Sequence, residues 1–431
     1  MDAGDLLELD VGGVAHGGVF VARHEGRVVF VADALPGERV RARLTDVRKS
    51  SFWRADTVEV LAASPARRAH VWAAADVDVA PEERPGGAEF GHIDLAAQRG
   101  LKLEVLRDAL ERFGRMSVPA RIDAARAASD VSGDDDAAAP AEAADGTRWR
   151  TRVSLHVDDA GRVGPYAARS HRVIEVPDLP LATDAVARAA ATLRGSAPGR
   201  IDLVQPADGR VRILARPERA SRPTRTPEVV RERVGQREFR VDAGGFWQVH
   251  RLAAAALTDL VTTQLRLAYP DLPVDPDAAH LDLYGGVGLF AAALGELGGT
   301  ATRLTTVESD PRATEHAGEN LAEWVGARAV TARVDRYVAE LTASASARER
   351  SRLSNGVVLL DPPRAGAGRE VVERIADLAP RTVVYVACDP VALARDLGTF
   401  AELGYGVRGE VRALDLFPHT HHVEAVAVLG H

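Results

Sequence analysis

Up to Val60 the chain alternates apolar and polar positions in short runs, at residues 6–11, 19–21, 28–31, 39–44 and 55–60. Gly12-Gly13, Gly17-Gly18, Gly26 and Pro36-Gly37 punctuate them. Short strands at this spacing predict a small closed barrel of the OB-like kind. The pattern then turns helical over 101–113, where Leu103, Leu106, Leu110 and Phe113 fall on one face. Strand-like runs at 152–157, 201–204 and 211–214 flank a helix near 185–193, which predicts a central α+β unit. From Phe246 onward helices alternate with short apolar strands at 280–284, 304–307, 357–360 and 382–387, and a last pair falls near 406–414 and 423–429. That alternation predicts a doubly wound, Rossmann-like α/β domain with late antiparallel additions. The expected organisation is therefore multi-domain: a barrel over 1–62, an α+β domain over 63–245, and an α/β domain over 246–431.

Composition narrows the function classes. A chain of 431 residues is long enough for two or three cores. No apolar run approaches the roughly 20 residues that cross a bilayer, so no membrane partner is expected. The first residues are acidic and carry no basic stretch followed by an apolar one, so a cytoplasmic location is expected. Residues 124–146 are Ala, Asp, Ser and Gly with almost no large apolar side chain, the composition of a disordered insertion. A net charge of −8 argues against non-specific coating of nucleic acid, although a local basic patch would suffice. The single cysteine, Cys388, excludes an intramolecular disulfide and any metal cluster that needs several thiolates of this chain.

One basic patch is visible. Arg39, Arg41 and Arg43 alternate with Val40, Ala42 and Leu44 and so share one strand face, and Arg48, Lys49, Phe52, Trp53 and Arg54 follow. Cations beside flat rings suit single-stranded RNA. A solvated barrel face over core aromatics fits the same residues equally well.

Four strand ends carry chemistry. Leu283-Tyr284-Gly285-Gly286-Val287-Gly288 runs from a strand into a glycine turn opening a helix, and Glu308 ends the next strand with a carboxylate able to take two ribose hydroxyls. Together they suggest a nucleoside cofactor pocket. Asp361-Pro362-Pro363-Arg364 delivers a carboxylate into a rigid turn. Ala387-Cys388-Asp389-Pro390 places the cysteine where a helix begins, with Asp389 and Pro390 as N-cap and first helical position; the helix dipole there should lower the thiol pKa. Near the C-terminus, Glu424 stands beside the last strand as a candidate general base. Adjacent histidines among His419, His421 and His422 would point to opposite faces of an extended chain, so no metal site is expected.

These residues resemble the RNA uracil-5 methyltransferase family, from a TRAM-like barrel to the last strand. The family's nucleophile motif, usually Ser-Cys-Asn-Pro, appears as Ala387-Cys388-Asp389-Pro390, and its His-x-Glu as His422-Val423-Glu424. Its Phe-x-Gln segment matches Phe246-Trp247-Gln248. The resemblance implies a class I methyltransferase domain that uses S-adenosylmethionine, with Gln248, Tyr284, Glu308 and Asp361 lining the pocket and its border with the target base. It also implies a tRNA or rRNA partner, for which a monomer is expected. C5 of uracil is a poor nucleophile until a thiolate adds to C6, which explains the pairing of Cys388 with a base that later removes the C5 proton. Two departures matter. Many members hold a four-cysteine iron–sulfur cluster near the segment that reads Gly86-Gly87-Ala88-Glu89-Phe90-Gly91-His92, and no cysteine is there. Asp389 in place of Asn adds a negative charge beside Cys388, which should raise its pKa. Other readings are an amino-group methyltransferase, which would need neither Cys388 nor Glu424, and an idle RNA-binding assembly factor that relies on the barrel.

Overall fold

The computed structural model describes residues 1–126, 143–195, 197–218 and 227–431. Most of the insertion expected over 124–146 lies outside the described residues.

Five strands, β1 (Leu6–Ala15), β2 (Val19–His24), β3 (Arg27–Ala32), β4 (Arg39–Asp46) and β5 (Phe52–Ala62), close into a barrel in the order β1-β2-β3-β5-β4. Leu7, Leu9 and Val11 of β1 and Val40, Ala42 and Leu44 of β4 fill it, as strict alternation requires. Gly12-Gly13 is not a turn. The register of β1 against β2 slips between Val11 and Gly13, a bulge inside one long strand. β1 therefore runs on to Ala15 and leaves His16-Gly17-Gly18 as the turn.

Helix α1 (Leu95–Arg112) begins earlier than its apolar pattern, because Asp94 caps it and accepts from the N–H groups of Ala96 and Ala97 at 3.0 and 3.4 Å. A short strand follows, β6 (Ala120–Ala124). The middle of the chain supplies β7 (Arg152–Val157), β8 (Val163–Gly164), α2 (Asp184–Ala191), β9 (Gly199–Val204) and β10 (Arg212–Pro217). These strands form a sheet in the order β10-β9-β7-β8, and Val186 of α2 packs with Leu155 and Leu203 against it. A hairpin of β11 (Val229–Val234) and β12 (Arg237–Asp242) sends Phe239 into the C-terminal core.

The C-terminal unit contains α3 (Ala253–Ala268), β13 (Ala279–Leu283), α4 (Leu289–Gly298), β14 (Arg303–Glu308), α5 (Pro311–Asn320), β15 (Arg328–Thr331), α6 (Val334–Ser344) and α7 (Ala347–Ser354). It continues with β16 (Val357–Leu360), α8 (Arg369–Asp377), β17 (Thr382–Ala387), α9 (Pro390–Glu402), β18 (Gly406–Val407), β19 (Val411–Asp415) and β20 (Glu424–Gly430). The sheet order is β15-β14-β13-β16-β17-β20-β19-β6, parallel through β17 and antiparallel at β20. Every residue of β16 and β17 is buried, which is why these strands read as unbroken apolar runs.

One expectation needs correction. The last strand of this sheet, β6, comes from upstream of residue 246 and pairs in parallel with β19, while Leu106 and Leu110 of α1 pack into the same core as Leu393 and Leu397 of α9. A division into 63–245 and 246–431 thus cuts through one packed layer. The chain order reverses between β13 and β16, and in such sheets the crevice beyond the strands' carboxyl ends at that point receives ligands.

Candidate active site

The glycine turn lies at that crevice. Tyr284, a bulky residue, sits at φ +61°, a conformation that costs energy and marks functional turns. A Cβ on Gly285 would stand 2.0 Å from Thr306 Oγ1 and 2.6 Å from Asp282 Oδ2, so only glycine lets the turn pass. A Cβ on Gly286 would meet nothing within 4 Å, which leaves that side open to a ligand. The Gly286 N–H donates to Glu308 Oε2 at 3.3 Å, and Glu308 Oε1 accepts from the N–H of Asp310 at 2.9 Å. Glycine turn and acidic strand end are therefore one unit.

Behind the turn, Asp282 is 1% exposed; its Oδ2 accepts from the Ala291 N–H at 3.1 Å, while Oδ1 has no hydrogen-bond partner. Burial pushes its carboxyl up to about 7. The Asp361 carboxyl is also pushed to about 7, by burial and then by the charge of Asp282. Neither forms an ion pair among the described residues. Two buried carboxyls without a cation, beside an open glycine turn and a carboxylate placed for ribose, fit a nucleoside that carries a positive sulfonium.

Cys388 follows β17, and the antiparallel register of β17 with β20, which pairs Ala387 with Ala425, brings Cys388 opposite Glu424. Pro390 opens α9 and Asp389 Oδ1 caps it, accepting from the N–H groups of Val391 and Ala392 at 3.0 and 2.8 Å. The helix dipole does not win, contrary to the expectation of a lowered pKa. Burial, then the charges of Glu424 and Asp361, push the Cys388 thiol up to about 12, with Asp389 adding to the rise and Arg364 opposing it. Glu424 is raised well above the usual carboxylate range by burial and by Asp361, again opposed by Arg364. Cys388 is partly exposed and lines a cleft of about 100 Å³ together with His16, Arg364, Asp389 and His422. Arg364 is thus a cation that acts on both groups. Its sequence signal, a basic residue directly after the diproline turn, was visible without a role attached.

The alternation expected of the adjacent histidines fails at His421 and His422, whose ring centroids lie 4.0 Å apart instead of on opposite faces. His419 meets the side chain of Gln98 and the Asp145 carbonyl at 3.0 and 2.7 Å, His421 faces Glu89 at 3.5 Å, and His422 bonds Arg364 at 3.2 Å. No group of three or more His, Cys, Asp or Glu residues able to hold a metal occurs among the described residues. Gln248 sits in the loop between β12 and α3, half-buried, two residues after Phe246, which is 73% exposed; its side chain makes no hydrogen bond to the described residues.

The barrel patch looks different from its sequence. Arg39, Arg41 and Arg43 do share one outer face, but Glu8 takes Arg39 at 2.8 Å and Arg41 at 3.2 Å, Glu59 also takes Arg41, and Glu82 takes Arg43. Arg48 pairs with Asp46 at 2.7 Å, and Lys49 is exposed. Trp53 is not a stacking platform. It is 8% exposed, part of the barrel core, with Arg27 over its ring at 4.3 Å. The expected strip of free cations and aromatics is thus a charge-balanced face over a core ring.

The iron–sulfur expectation concerns the segment around Gly86 to His92. Ala88 packs there with Trp72, Ala75, Trp149 and Leu181. The single cysteine of the chain, Cys388, lies outside that segment and supplies one thiolate where a four-cysteine cluster needs four.

Comparison with known proteins agrees with this geometry. The TRAM domain family matches residues 3–55, and the tRNA (Uracil-5-)-methyltransferase family matches residues 275–431. An RNA methyltransferase of Streptomyces avermitilis, itself uncharacterized, is 38% identical over 99% of this chain and 98% of its own length. The 23S rRNA (uracil(1939)-C(5))-methyltransferase RlmD of Halomonas elongata is 32% identical over 98% of this chain and 89% of its own. The chain belongs to the RNA uracil-5 methyltransferase family. A solved member, the Pyrococcus abyssi tRNA (uracil-54, C5)-methyltransferase in complex with S-adenosyl-L-homocysteine, shares the fold with a TM-score of 0.64, covering 98% of this chain and 100% of that one at 20% identity. As an RNA uracil-5 methyltransferase, the protein is an S-adenosylmethionine-dependent enzyme acting on RNA, with a TRAM barrel before its catalytic sheet. No helix among the described residues is long and apolar enough to cross a membrane.

Proposed function

We propose that this methyltransferase modifies C5 of a uridine in rRNA or tRNA through a covalent bond between Cys388 and C6 of the base. The observation that carries the reading is Cys388 on the wall of a cleft, opposite Glu424 across β17 and β20 and within electrostatic reach of Asp361. The relative from Halomonas elongata favours 23S rRNA as the first RNA to try.

S-adenosylmethionine, when bound, supplies an electrophilic methyl on a cationic sulfur. Gly285, Gly286 and Glu308 would hold its nucleoside, and Tyr284, Gln248 and Asp361 would border the target base. The Cys388 thiol loses its proton to solvent in the cleft and the thiolate Sγ bonds to C6, which loads electron density onto C5 for attack on the methyl. Glu424 then takes the proton from C5, the C6–S bond breaks, and the sulfur returns to the protein as thiolate. Its raised pKa makes Glu424 a stronger base than an ordinary carboxylate once it is ionised. Burial and the neighbouring carboxylates favour the neutral Cys388 thiol, so positive charge entering the crevice would favour its ionisation.

We also propose that the protein holds no iron–sulfur cluster and works as a cytoplasmic monomer, with RNA reaching the cleft past the barrel turn. An amino-group transfer would leave Cys388 and Glu424 without a task. The test is a trap: RNA containing 5-fluorouridine should form a denaturation-resistant complex that requires cofactor and vanishes in Cys388→Ala, whereas Glu424→Gln should accumulate a covalent complex even with ordinary RNA. Methyl transfer that survives Cys388→Ala would rule the proposal out.

A further inference from the structure

We infer that the barrel takes part in the active site itself: His16, in the β1–β2 turn, is a positioning residue that neutralises Asp389 and so relieves Cys388 of that carboxylate's charge. The inference rests on the cysteine chemistry proposed above. His16 Nε2 meets Asp389 Oδ2 at 2.8 Å across 373 positions of sequence. The turn is pressed against the site, since a Cβ on Gly18 would come within 3.0 Å of the His421 side chain, and His16, Gly17 and Gly18 form one wall of the cleft that holds Cys388.

Asp389 has two oxygens with separate tasks. Oδ1 caps α9, which an asparagine would do as well. Oδ2 is where aspartate differs, and it points at His16. Of the other charged groups around the cleft, Lys102 of α1 pairs with Asp415 at 2.5 Å and His421 faces Glu89 at 3.5 Å, while Arg364, bonded to His422 at 3.2 Å, acts on the sulfur directly but does not pair with Asp389. Glu424 and Asp361 add negative potential at the sulfur when they are ionised. Among the described residues no cation other than His16 pairs with Asp389.

The sign of the coupling follows. The hydrogen bond to Asp389 raises the His16 imidazole above its ordinary value, so the ring keeps its proton further into the neutral range. Burial works against ionisation of Asp389, but the bonds from His16 and the helix N–H groups hold its carboxyl below the usual range. With His16 protonated the pair is neutral as seen from Cys388. When the proton leaves, or the turn lifts away, a bare carboxylate faces the sulfur and the thiolate becomes harder to form. Seating of the barrel turn and readiness of the nucleophile are then one event.

Because Cys388 is the sole cysteine, its reaction with 4,4′-dithiodipyridine can be followed in the intact protein by release of thiopyridone, with neither RNA nor cofactor present. His16→Ala should react about threefold more slowly than the native protein at about pH 6, and the difference should fade by about pH 9, where the imidazole is neutral in any case. Asp389→Asn should react at least as fast as the native protein, and adding His16→Ala to it should change nothing. Equal slowing by His16→Ala in both backgrounds, slowing that ignores pH, or no slowing at all would overturn the inference. The fluorouridine trap run beside it separates the two claims: if the trap fails while the thiol cycle behaves as stated, the methylation chemistry is wrong and the His16–Asp389 coupling stands.

Discussion

Tyr385 donates its hydroxyl proton to Asp396 Oδ2 at 2.6 Å, joining β17 to α9 with both residues wholly buried. The same oxygen accepts from the N–H groups of Ala367 and Gly368 at 2.8 and 3.2 Å, and Arg395 holds the Ala365 carbonyl at 2.6 Å. The strand and helix that flank Cys388 thus also fix the loop that starts at Asp361 and carries Arg364. Removing the hydroxyl in Tyr385→Phe leaves a buried carboxylate short of one donor, a cost of about 1–3 kcal/mol. Urea denaturation should show that loss. Methyl transfer should show a fall in kcat larger than any rise in KM, because the loop positions reacting groups; a stability loss with kcat intact would mean the network only supports the fold.

The buried carboxyls set a pH dependence whose sign is fixed. Asp282 and Asp361 rise from 3.8 in the unfolded chain to about 7 when folded. A carboxyl raised in this way favours the folded state while protonated, so its contribution is present below about 4 and is lost as pH climbs through about 7. Asp282→Asn should therefore gain thermal stability relative to the native protein between about pH 5 and about pH 8. In the same window the extra Tm given by S-adenosylmethionine over neutral S-adenosylhomocysteine should grow for the native protein and flatten in the variant. A difference that shrinks with rising pH would remove the cation-matching role of these carboxyls.

Two neighbouring glycines should behave differently. Gly285→Ala drives a Cβ into Thr306 and Asp282, so both folding and cofactor binding should suffer. Gly286→Ala meets no protein atom, and its φ of +53° makes the substitution cost only about 1 kcal/mol of stability. Calorimetric titration should nonetheless show cofactor affinity falling about tenfold or more, since the new methyl occupies the ligand's side of the turn. Unchanged affinity in Gly286→Ala would place the cofactor elsewhere.

What the sequence made legible follows from how local each signal is. Cys388, Glu424, Glu308 and the glycine turn sit in motifs only a few residues long, and the strands carrying them are continuous apolar runs, so both site and sheet could be read in advance. β6 could not, because Ala120–Ala124 offers a single large apolar side chain, Ile122, and is a strand only by virtue of β19 beside it. Alternation correctly put Arg39, Arg41 and Arg43 on the outside of the barrel, but it says nothing about which acids stand opposite, and Glu8 and Glu82 come from separate segments. His16, Asp396 and Lys102 escaped for the same reason: each acquires its role from a partner hundreds of residues away or on another element. For Cys388 the helix end pointed to a lowered pKa and the adjacent Asp389 to a raised one; the rise prevails chiefly through burial, then through Glu424 and Asp361, which reach the sulfur only through the fold.

Lys102 shows how much such a partner can matter. Its ammonium, with Lys102 only 2% exposed, lies 2.5 Å from Asp415 and 2.9 Å from the Phe417 carbonyl, and so ties α1 to the segment leading into His422 and Glu424. Lys102→Met leaves the Asp415 carboxylate with Arg99, at 3.2 Å, as its cation among the described residues, and should cost about 3–5 kcal/mol in urea denaturation. The double variant Lys102→Met/Asp415→Leu should recover a large part of that loss, because the charge left unpaired is then gone. No recovery would show that packing of the lysine stem, rather than its charge, is what α1 contributes.

The balanced face of the barrel makes a prediction about RNA. If Arg39, Arg41 and Arg43 each neutralised a phosphate, replacing all three by glutamine would reduce the slope of log affinity against log salt by about 2–3. Their carboxylate partners Glu8, Glu59 and Glu82 already satisfy them, and those pairs are surface-exposed and screened by solvent. Phosphate binding there would have to displace an acid and leave its charge beside the RNA backbone. The triple glutamine variant should therefore change the salt slope by less than about 1, whereas Glu8→Gln with Glu59→Gln should raise RNA affinity by freeing Arg39 and Arg41. A drop of the full size in the arginine variant would restore this strand as the RNA track, with the acids acting as a brake that RNA releases on docking.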